Sequence, residues 1–419
     1  MTAMRPRLLF LCHRIPYPPD KGDKIRAWHM LEHLSRSWTV DLGCLVDDPA
    51  DLKHLPALRG VCDRVECHPT GGRAAAAARA LTRVRPGLPL TLGWFHAPAL
   101  HAWVEAGLAA RRYEAAFVYS SSMAPYVMGP GLPPLRRVLD LVDVDSAKWA
   151  AYAEGAAPPM RQVWAREART LLSFERRAAA VFDRTLLVSR EERDHFAALA
   201  PESAGRLDWV DNGVDLSRFD PALPYANPYR DAAPPIVFTG TMDYRPNVEA
   251  VCWFAAEVMP LLRAAPGPAA GSAPEFHVVG ANPAPAVRAL AALPGVHVTG
   301  AVPDTRPYIA HAAAAVAPLR IARGIQNKVL EAMALARPVI ASPQAFEGVR
   351  AAAGRDILVA DGASATAAAI AVALGGQIPG MGAAARAAVA RGHDWSATLR
   401  RLDALLSPQP PSYEMQAAE

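Results

Sequence analysis

The sequence predicts an α/β protein with two doubly wound halves, and three observations support this class. Short apolar runs alternate with longer helical patterns, which is typical of βαβ units and parallel sheets. The runs fall into two series, separated by a polar, proline-rich stretch from about residue 220 to 235. The length of 419 residues suits two or three domains.

The composition excludes several classes of protein. With 52% hydrophobic residues the chain is neither disordered nor fibrous, and a net charge of +4 is too small to indicate a nucleic-acid binder. Five cysteines without a CxxC pair indicate a reducing compartment, and the spacing of Cys62, Cys67 and His68 fits no common zinc pattern.

The first apolar run is too short for a secretory signal. The uncharged stretch 362–385 is mostly Ala and Gly, which favours a helix and a loop over a membrane span. We therefore expect a cytoplasmic protein.

The elements follow in order from these patterns. A strand at 8–12 is followed by a loop rich in proline and glycine and by a helix over about 24–35, where apolar residues recur on one side. Further strands of the first series are predicted at 40–46, 116–119, 138–142 and 185–188. Strands of the second series are predicted at 236–238, 277–279, 297–299, 314–317, 339–341 and 357–359. Ligands of such sheets bind beyond the carboxyl ends of the strands, where the strand order reverses.

One segment at the predicted domain junction is more specific than these patterns. Residues 210–219 read Val-Asp-Asn-Gly-Val-Asp-Leu-Ser-Arg-Phe, and we expect Asn212-Gly213 to form a turn with positive φ. The segment resembles the "PNGVD…F" signature of family 4 glycosyltransferases, with Asp211 in the place of the usual proline. Segments 238–247, 278–280, 296–304, 317–334 and 393–396 resemble further motifs of that family in the same order.

This resemblance implies the GT-B fold, in which two Rossmann-like domains face each other across a cleft and a C-terminal helix crosses back to the N-terminal domain. We accordingly predict an N-terminal acceptor-side domain at 1–212, a hinge at 213–235, a nucleotide-sugar-binding domain at 236–390, and a returning helix and tail at 391–419. The implied enzyme is a retaining glycosyltransferase of the bacterial exopolysaccharide-associated type. It moves a sugar from a nucleoside-diphosphate sugar to a hydroxyl of a glycan or lipid-linked acceptor. No metal or cofactor is expected.

The predicted donor site lies mainly in the second half. A helix is predicted to begin near Asn327, after Gly324, so that its first amides, Lys328 and either Arg320 or Arg323 converge on the diphosphate. Glu331 lies one helical turn after Lys328, and by resemblance it accepts hydrogen bonds from the ribose hydroxyls. An exposed Lys–Glu pair on a helix surface is the alternative. The strand and loop that carry Gly240 and Asn247 resemble the opening of the family's nucleotide-binding domain.

Two features depart from the family pattern. Many relatives carry Glu-x7-Glu, but Arg323 stands eight residues before Glu331, which places the specificity for the donor sugar in question. Many relatives also have a histidine at the end of the strand predicted at 138–142, where this chain has Asp143 and Asp145. A carboxylate there can orient the acceptor hydroxyl or take its proton, and the alternative is that Asp145 or Ser146 caps the next helix. His13 is a weaker candidate for a base.

The loop after the first strand resembles the family's glycine-rich loop, which approaches the donor phosphates. Gly22 allows close backbone approach, and Lys21, Lys24 and Arg26 can add positive charge. The alternative is an ordinary loop with solvated charges.

The acceptor is not defined by any motif. The region of Trp149, Trp164 and Arg161–Arg177 suits either a solvated helix or an amphipathic helix that contacts the inner membrane. Two other functions remain open: a non-catalytic scaffold that binds nucleotide sugars, and a GT-B nucleotide-sugar epimerase.

Overall fold

The computed structural model describes residues 5–229, 233–264, 273–322 and 324–407. Arg323, which we predicted to contact the donor, lies outside the described residues, as do residues 230–232 of the predicted hinge and 408–419 of the predicted tail. The chain divides into two units. The first contains the described residues up to Val210 together with those from Leu399, and the second is Asp211–Thr398.

The first unit is built on a seven-stranded parallel sheet with the strand order β3-β2-β1-β4-β5-β6-β7. Its strands are β1 (Arg7–Cys12), β2 (Thr39–Val46), β3 (Arg64–Pro69), β4 (Ala115–Tyr119), β5 (Arg136–Val142), β6 (Arg184–Leu187) and β7 (Leu207–Trp209). Its helices before Val210 are α1 (Gly22–Ser35), α2 (Leu55–Arg59), α3 (Gly72–Thr82), α4 (Leu90–Trp94), α5 (Pro98–Ala109), α6 (Asp145–Glu154), α7 (Met160–Val181) and α8 (Arg190–Leu199). The order reverses between β1 and β4, which makes their carboxyl ends the switch point of this sheet.

Burial explains which of these strands could be recognised in the sequence. Strands β1 and β4 are almost wholly buried and therefore read as continuous apolar runs. We did not predict β3, because it is a partly exposed edge strand that includes charged residues, or β7, because it has only three residues.

The second unit repeats the design with a six-stranded parallel sheet in the order β10-β9-β8-β11-β12-β13. Its strands are β8 (Pro235–Thr239), β9 (Glu275–Val279), β10 (Val296–Gly300), β11 (Ala314–Ala317), β12 (Val339–Ala341) and β13 (Leu358–Val359). Its helices are α9 (Arg245–Trp253), α10 (Met259–Ala264), α11 (Pro285–Ala289), α12 (Arg306–His311), α13 (Asn327–Ala334), α14 (Pro343–Phe346), α15 (Ala363–Leu374), α16 (Met381–Gly392) and α17 (Trp395–Thr398). One π-helical turn at Phe254–Val258 joins α9 to α10. The two sheets confirm the predicted doubly wound α/β class, and the switch point of the second lies between β8 and β11.

The uncharged alanine-rich stretch forms helices, as expected. It contains α15 and the first part of α16, which the loop 375–380 separates. Within the described ranges, none of the helices has the length and apolar character needed to span a bilayer.

The Asn212-Gly213 segment at the junction contacts residues near the end of the second unit. The Nδ1 atom of buried His393 lies 3.0 Å from the carbonyl oxygen of Asn212, and its Nε2 accepts a hydrogen bond from the amide of Arg350 at 2.9 Å. Burial lowers the pKa of His393 to about 4, so the ring is neutral at pH 7. Asp211, at the position where the resembled signature has a proline, forms an ion pair with Arg350.

The physical reason for Gly213 differs from our expectation. Neither Asn212 nor Gly213 has a positive φ, so that prediction is wrong. A Cβ atom at Gly213 would instead lie 2.7 Å from the Trp395 ring, and glycine is required for this close approach.

The last described helix, α18 (Arg400–Leu406), belongs to the first unit. Arg401 forms an ion pair with Asp208, and its guanidinium lies 3.6 Å from the centre of the Trp209 ring. His33 of α1 contacts Asp403 at 2.8 Å. The C-terminal helix is thus part of the N-terminal unit, as the predicted fold requires.

A buried ion pair joins α1 to the centre of the first sheet. Arg26 donates from Nε to Asp140 Oδ2 at 2.8 Å and from Nη1 to the carbonyl oxygen of Val210 at 2.7 Å. Both charged residues are 0% exposed. The pair therefore connects a helix, strand β5 and the last residue of this unit before the junction.

We predict that Arg26→Met destabilises the protein by about 3–5 kcal/mol, because the substitution leaves the Asp140 carboxylate buried without its partner. Chemical denaturation monitored by circular dichroism measures the change. Arg36→Met at the end of the same helix is the control, since its side chain is 67% exposed and its loss should cost less than about 1 kcal/mol. Equal denaturation midpoints for the two variants would contradict the role assigned to Arg26.

Candidate functional site

The loops that follow β8 and β9 approach each other through two glycines. A Cβ atom at Gly280 would lie 1.7 Å from the carbonyl oxygen of Gly240, and one at Gly240 would lie 2.7 Å from Asn247 Nδ2. Both glycines have φ of +154°. Side chains at either position would separate the two loops, so the glycines keep the carboxyl ends of these strands close to the chain that follows.

The ammonium group of Lys328 lies at this end of the sheet. Lys328 is the second residue of α13, and its Nζ donates to Asn247 Oδ1 at 2.6 Å. The same Nζ lies 4.2 Å from the centre of the Phe238 ring, at the end of β8. Asn247 is buried, and its Nδ2 donates to the carbonyl oxygen of Thr241 at 2.9 Å, which fixes the amide orientation. The lysine is therefore held in place by neutral groups.

The electrostatics of Lys328 and Glu331 are unusual for a surface helix. Burial lowers the pKa of Lys328 to about 7 and raises the pKa of Glu331 to about 7; each charge partly offsets the shift of the other. In the part of the chain that the structure describes, no carboxylate forms an ion pair with Lys328. The charge of Arg218, in the junction segment, also favours ionised Glu331. Desolvation at the first turn of a helix prepares Lys328 for an anionic ligand.

The turn before α13 matches the predicted helix start. Gly324 has φ of +62°, its carbonyl oxygen accepts a hydrogen bond from Gln326 Nε2 at 3.2 Å, and α13 begins at Asn327. The Oδ1 atom of Asn327 accepts a hydrogen bond from Asn212 Nδ2 at 3.2 Å, so this side chain connects the helix start to the junction segment. Arg320 is exposed, just beyond the carboxyl end of β11.

In the first unit, the loop after β1 uses two of its cations internally. Lys24 is buried and its Nζ lies 2.5 Å from Asp51 Oδ2, while Arg26 pairs with Asp140. These two residues are therefore not available for phosphate, and our expectation for them is wrong. Lys21 immediately precedes α1 and Gly22 begins it, and their predicted contact with the donor stays a prediction.

His13 lies against aromatic rings at the carboxyl end of β1. Its ring is parallel to that of Tyr119, with centres 5.8 Å apart, and meets the edge of Phe95. Its Nε2 is 3.6 Å from Asp23 Oδ2, and Asp23 also accepts from Arg14 at 2.8 Å. Burial raises the pKa of Asp23, but the side-chain hydrogen bond with His13 and the charge of Arg14 outweigh it and hold that pKa below the ordinary range.

Asp143 follows β5 through a strained residue. Val142 has φ of +69°, which is rare for a β-branched residue, and the register of β5 with β6 shifts there. Burial, together with the nearby carboxylates of Glu192 and Asp145, raises the pKa of Asp143 to about 7. Among the described residues, no donor reaches its buried Oδ1 atom. Asp143 thus has the protonation equilibrium of a general base near neutral pH.

Neither Asp145 nor Ser146 caps α6, so that alternative is wrong. The cap position is Val144, without a side-chain cap, and Asp145 pairs with Lys148 within the helix. Carboxylates from other helices replace the cap: Glu192 accepts from the Val144 amide at 3.1 Å, and Glu175 accepts from the Ser146 hydroxyl at 2.5 Å. Burial raises the pKa of Glu175 to about 8.

The sequence analysis missed three residues: two that lie near Lys328 and Glu331, and one that lies near Asp143. Phe238 is an ordinary strand residue in the sequence, and Arg218 lies in a motif that we had assigned only to the junction. Glu192 has a recognisable signal, because Ser189 and Glu192 have the spacing of a capping box, and the Ser189 hydroxyl does accept from the Glu192 amide at 3.2 Å. The proximity of Glu192 to Asp143, however, depends on the packing of α8 in the fold.

Comparison with known families and sequences gives one match within the second unit. The family model for "Glycosyl transferases group 1" matches residues 233–375. This range contains Gly240, Asn247, Lys328 and Glu331. No curated protein sequence matches the chain significantly.

Solved structures resemble nearly the whole chain at low sequence identity. Sucrose-phosphate synthase from Thermosynechococcus elongatus has a TM-score of 0.69 and 17% identity, and the alignment covers 96% of this chain and 98% of that one. Alr3699/HepE from Anabaena, in complex with UDP and glucose, has a TM-score of 0.65 and 12% identity, over 96% and 99% of the two chains. WaaG, a glycosyltransferase involved in lipopolysaccharide biosynthesis, has a TM-score of 0.63 and 15% identity, over 96% and 100%. The chain therefore has the GT-B fold with two Rossmann-like domains, and its second domain is similar to the group 1 glycosyltransferase model over residues 233–375.

Proposed function

We propose that the protein is a retaining glycosyltransferase that moves a sugar from a nucleoside-diphosphate sugar to a hydroxyl of a glycan or lipid-linked acceptor. We assign it to bacterial extracellular polysaccharide synthesis, in the cytoplasm or at the inner face of the membrane. The observation that carries the proposal is the desolvated ammonium of Lys328, held by Asn247 beside Glu331 at the switch point of the second sheet.

A diphosphate suits this position on physical grounds. Its negative charge would complete the surroundings of a lysine whose present neighbours are an amide oxygen and an aromatic ring. The first amides of α13 point toward the same end of the helix and favour an anion. Glu331 is one turn further along and can accept hydrogen bonds from ribose hydroxyls. The binding of UDP and glucose by Alr3699/HepE supports the same class of donor here.

The chemistry that follows is the cleavage of one bond and the formation of another. The bond between the anomeric carbon and the diphosphate oxygen breaks, and the diphosphate keeps the electron pair. The charge that develops on it is stabilised by Lys328, by Arg320 or Arg323, and by helix-end amides. The acceptor oxygen forms the new bond on the same face of the sugar and loses its proton. No metal or cofactor is assigned to these steps.

Asp143 is our proposed acceptor-side residue. A carboxyl group with a pKa near 7 can take a proton from the acceptor hydroxyl at physiological pH, and no donor among the described residues already occupies its Oδ1 atom. Asp145 is the second candidate, although it is already engaged with Lys148.

We expect Lys328→Met to lower turnover by at least about 100-fold, because it removes the cation from the leaving diphosphate while keeping most of the side-chain volume. The assay measures sugar transfer and donor hydrolysis. A thermal-shift screen of nucleoside diphosphates should raise the melting temperature of the wild type, with a smaller rise in the variant. Lys53→Met, an exposed lysine in the first unit, is the matched control.

The same assays separate the alternatives. Glu331→Ala should also lose transfer, and a wild type that binds nucleotide sugar without transfer would indicate a scaffold. Conversion of the donor sugar in the absence of any acceptor would indicate an epimerase. Near wild-type transfer by Lys328→Met would refute the assigned donor site.

A second prediction concerns pH. If Asp143 accepts the proton, the rate rises with pH up to about 7, because only the ionised carboxylate acts as a base. Asp143→Asn should abolish this rise and strongly reduce turnover. The variant should keep its stability at pH 8, because the fold raises the pKa of Asp143 and so disfavours its ionised form. An unchanged pH profile in Asp143→Asn would exclude this role, and Asp145→Asn is the comparison.

We place the proposed membrane contact at the first turns of α7, because exposed apolar side chains lie there. The rings of Trp149 and Trp164 lie 6.5 Å apart within the unit, and Arg176 pairs with Glu202. Met160 and Val163, in contrast, are exposed large apolar side chains next to exposed Arg161. An apolar pair beside a cation suits the headgroup region of an anionic bilayer.

We expect the protein to float with vesicles that contain anionic lipid at low salt, and the double variant Met160→Asp, Val163→Asp to remain unbound. Leu293→Asp removes an equally exposed apolar side chain from the second unit and should leave binding intact. Absence of flotation of the wild type, or equal flotation of all variants, would remove this contact from the proposal.

A further inference from the structure

A cluster of metal-ligand side chains lies on two neighbouring strands of the second sheet, away from the candidate donor site. His277 of β9 and His297 of the edge strand β10 are direct partners in the parallel register. Glu275 is two residues before His277, so its side chain lies on the same face of the sheet. Glu275 and His297 lie near the amino ends of their strands, whereas Gly240 and Gly280 follow the carboxyl ends of β8 and β9.

The three potential ligand atoms converge. Glu275 Oε2 is 3.1 Å from His297 Nε2 and 3.6 Å from His277 Nε2. One ligand atom from each residue lies within 4.8 Å of the other two. Two ligands of a tetrahedral zinc ion, each about 2.0–2.1 Å from the metal, are about 3.3 Å apart. Small side-chain rotations are therefore enough to place all three atoms around one ion.

One potential ligand atom of the cluster has no hydrogen-bond partner among the described residues. His297 Nε2 is a buried atom without a hydrogen-bond partner in the described chain, although Glu275 Oε2 is 3.1 Å away. The two imidazole rings stack with their centres 4.5 Å apart and an angle of 13° between them. A half-buried carboxylate beside two such rings is a typical donor set for a divalent transition metal.

The cluster is covered on one side by an aromatic ring and borders solvent on the other. Tyr229 meets the His277 ring edge-on, with ring centres 4.6 Å apart, and its hydroxyl donates to the carbonyl oxygen of Tyr308 at 2.6 Å. On the other side, the His297 side chain is 44% exposed, so the cluster borders solvent there. Water can supply the fourth ligand.

We propose that Glu275, His277 and His297 bind one divalent transition-metal ion, of the zinc type, through Oε2 and the two Nε2 atoms. The ion joins β9 to the edge strand β10 and stabilises the second unit. The ion takes no part in the proposed sugar transfer. The proposal that transfer needs no metal at the donor site is therefore unchanged.

Zinc titration of untagged, chelator-treated full-length protein by calorimetry tests the site. We expect one equivalent of zinc to bind per chain, and His297→Ala and Glu275→Gln to weaken binding by at least about tenfold. Cobalt(II) is a second probe, because a tetrahedral site gives intense visible absorption that these variants should lose. His101→Ala removes a partly exposed surface histidine that contacts Glu105 at 3.2 Å, and it should bind zinc like the wild type.

Melting temperatures measured with and without zinc distinguish loss of zinc binding from loss of folding. Because the His297 side chain is 44% exposed and lies on an edge strand, His297→Ala should melt close to the wild-type temperature in the presence of chelator. Zinc should then raise the melting temperature of the wild type and of His101→Ala, but not that of His297→Ala. No saturable binding, or equal zinc affinity in wild type and His297→Ala, would overturn the proposal.

Discussion

The proposed function depends on an ammonium group that the fold partly buries beside neutral groups, and in the described chain no carboxylate forms an ion pair with it. Lys328 rests on the ring of Phe238 and donates to Asn247, both of them neutral. Removing a cation from water costs free energy, and this cost appears as the lowered pKa of Lys328. A diphosphate offsets that cost, whereas a neutral ligand does not. The close approach of Gly240 and Gly280 matters because it keeps this end of the sheet narrow.

Other buried cations of the described chain differ from Lys328 because they form ion pairs with carboxylates. In the first unit, buried Arg26 and Lys24 have carboxylate partners, so they serve the stability of the loop and helix after β1. The carboxyl groups near the start of α6 form the opposite case. Burial, together with repulsion from the carboxylates of Glu192 and Asp145, raises the pKa of Asp143. Glu192, which accepts from the Val144 amide just before α6, therefore also raises the pKa of the candidate base.

The two ends of the second sheet have different chemistry. At the carboxyl ends of β8 and β9, glycines and a helix start offer donors and positive charge, which suit an anion. Near the amino ends of β9 and β10, two imidazoles and a carboxylate offer electron pairs, which suit a cation. Parallel strands bring like ends together, so residues distant in sequence gather into one group at each end.

The sequence by itself determined the doubly wound class, most of the strands, the start of α13 and the GT-B fold, because these depend on local periodicity and on motifs read in order. It did not determine β3 or β7, since a charged edge strand and a three-residue strand have no apolar run. Gly213 was recognised, but for the wrong reason: its neighbour is Trp395, which is 182 positions later in the chain. Only the tertiary structure decided which charged side chains form internal ion pairs, as Lys24 and Arg26 do. It also decided which one, Lys328, has no carboxylate in an ion pair and can bind an anionic ligand. That distinction depends on burial and on partners from other elements, and a single sequence encodes neither of them locally.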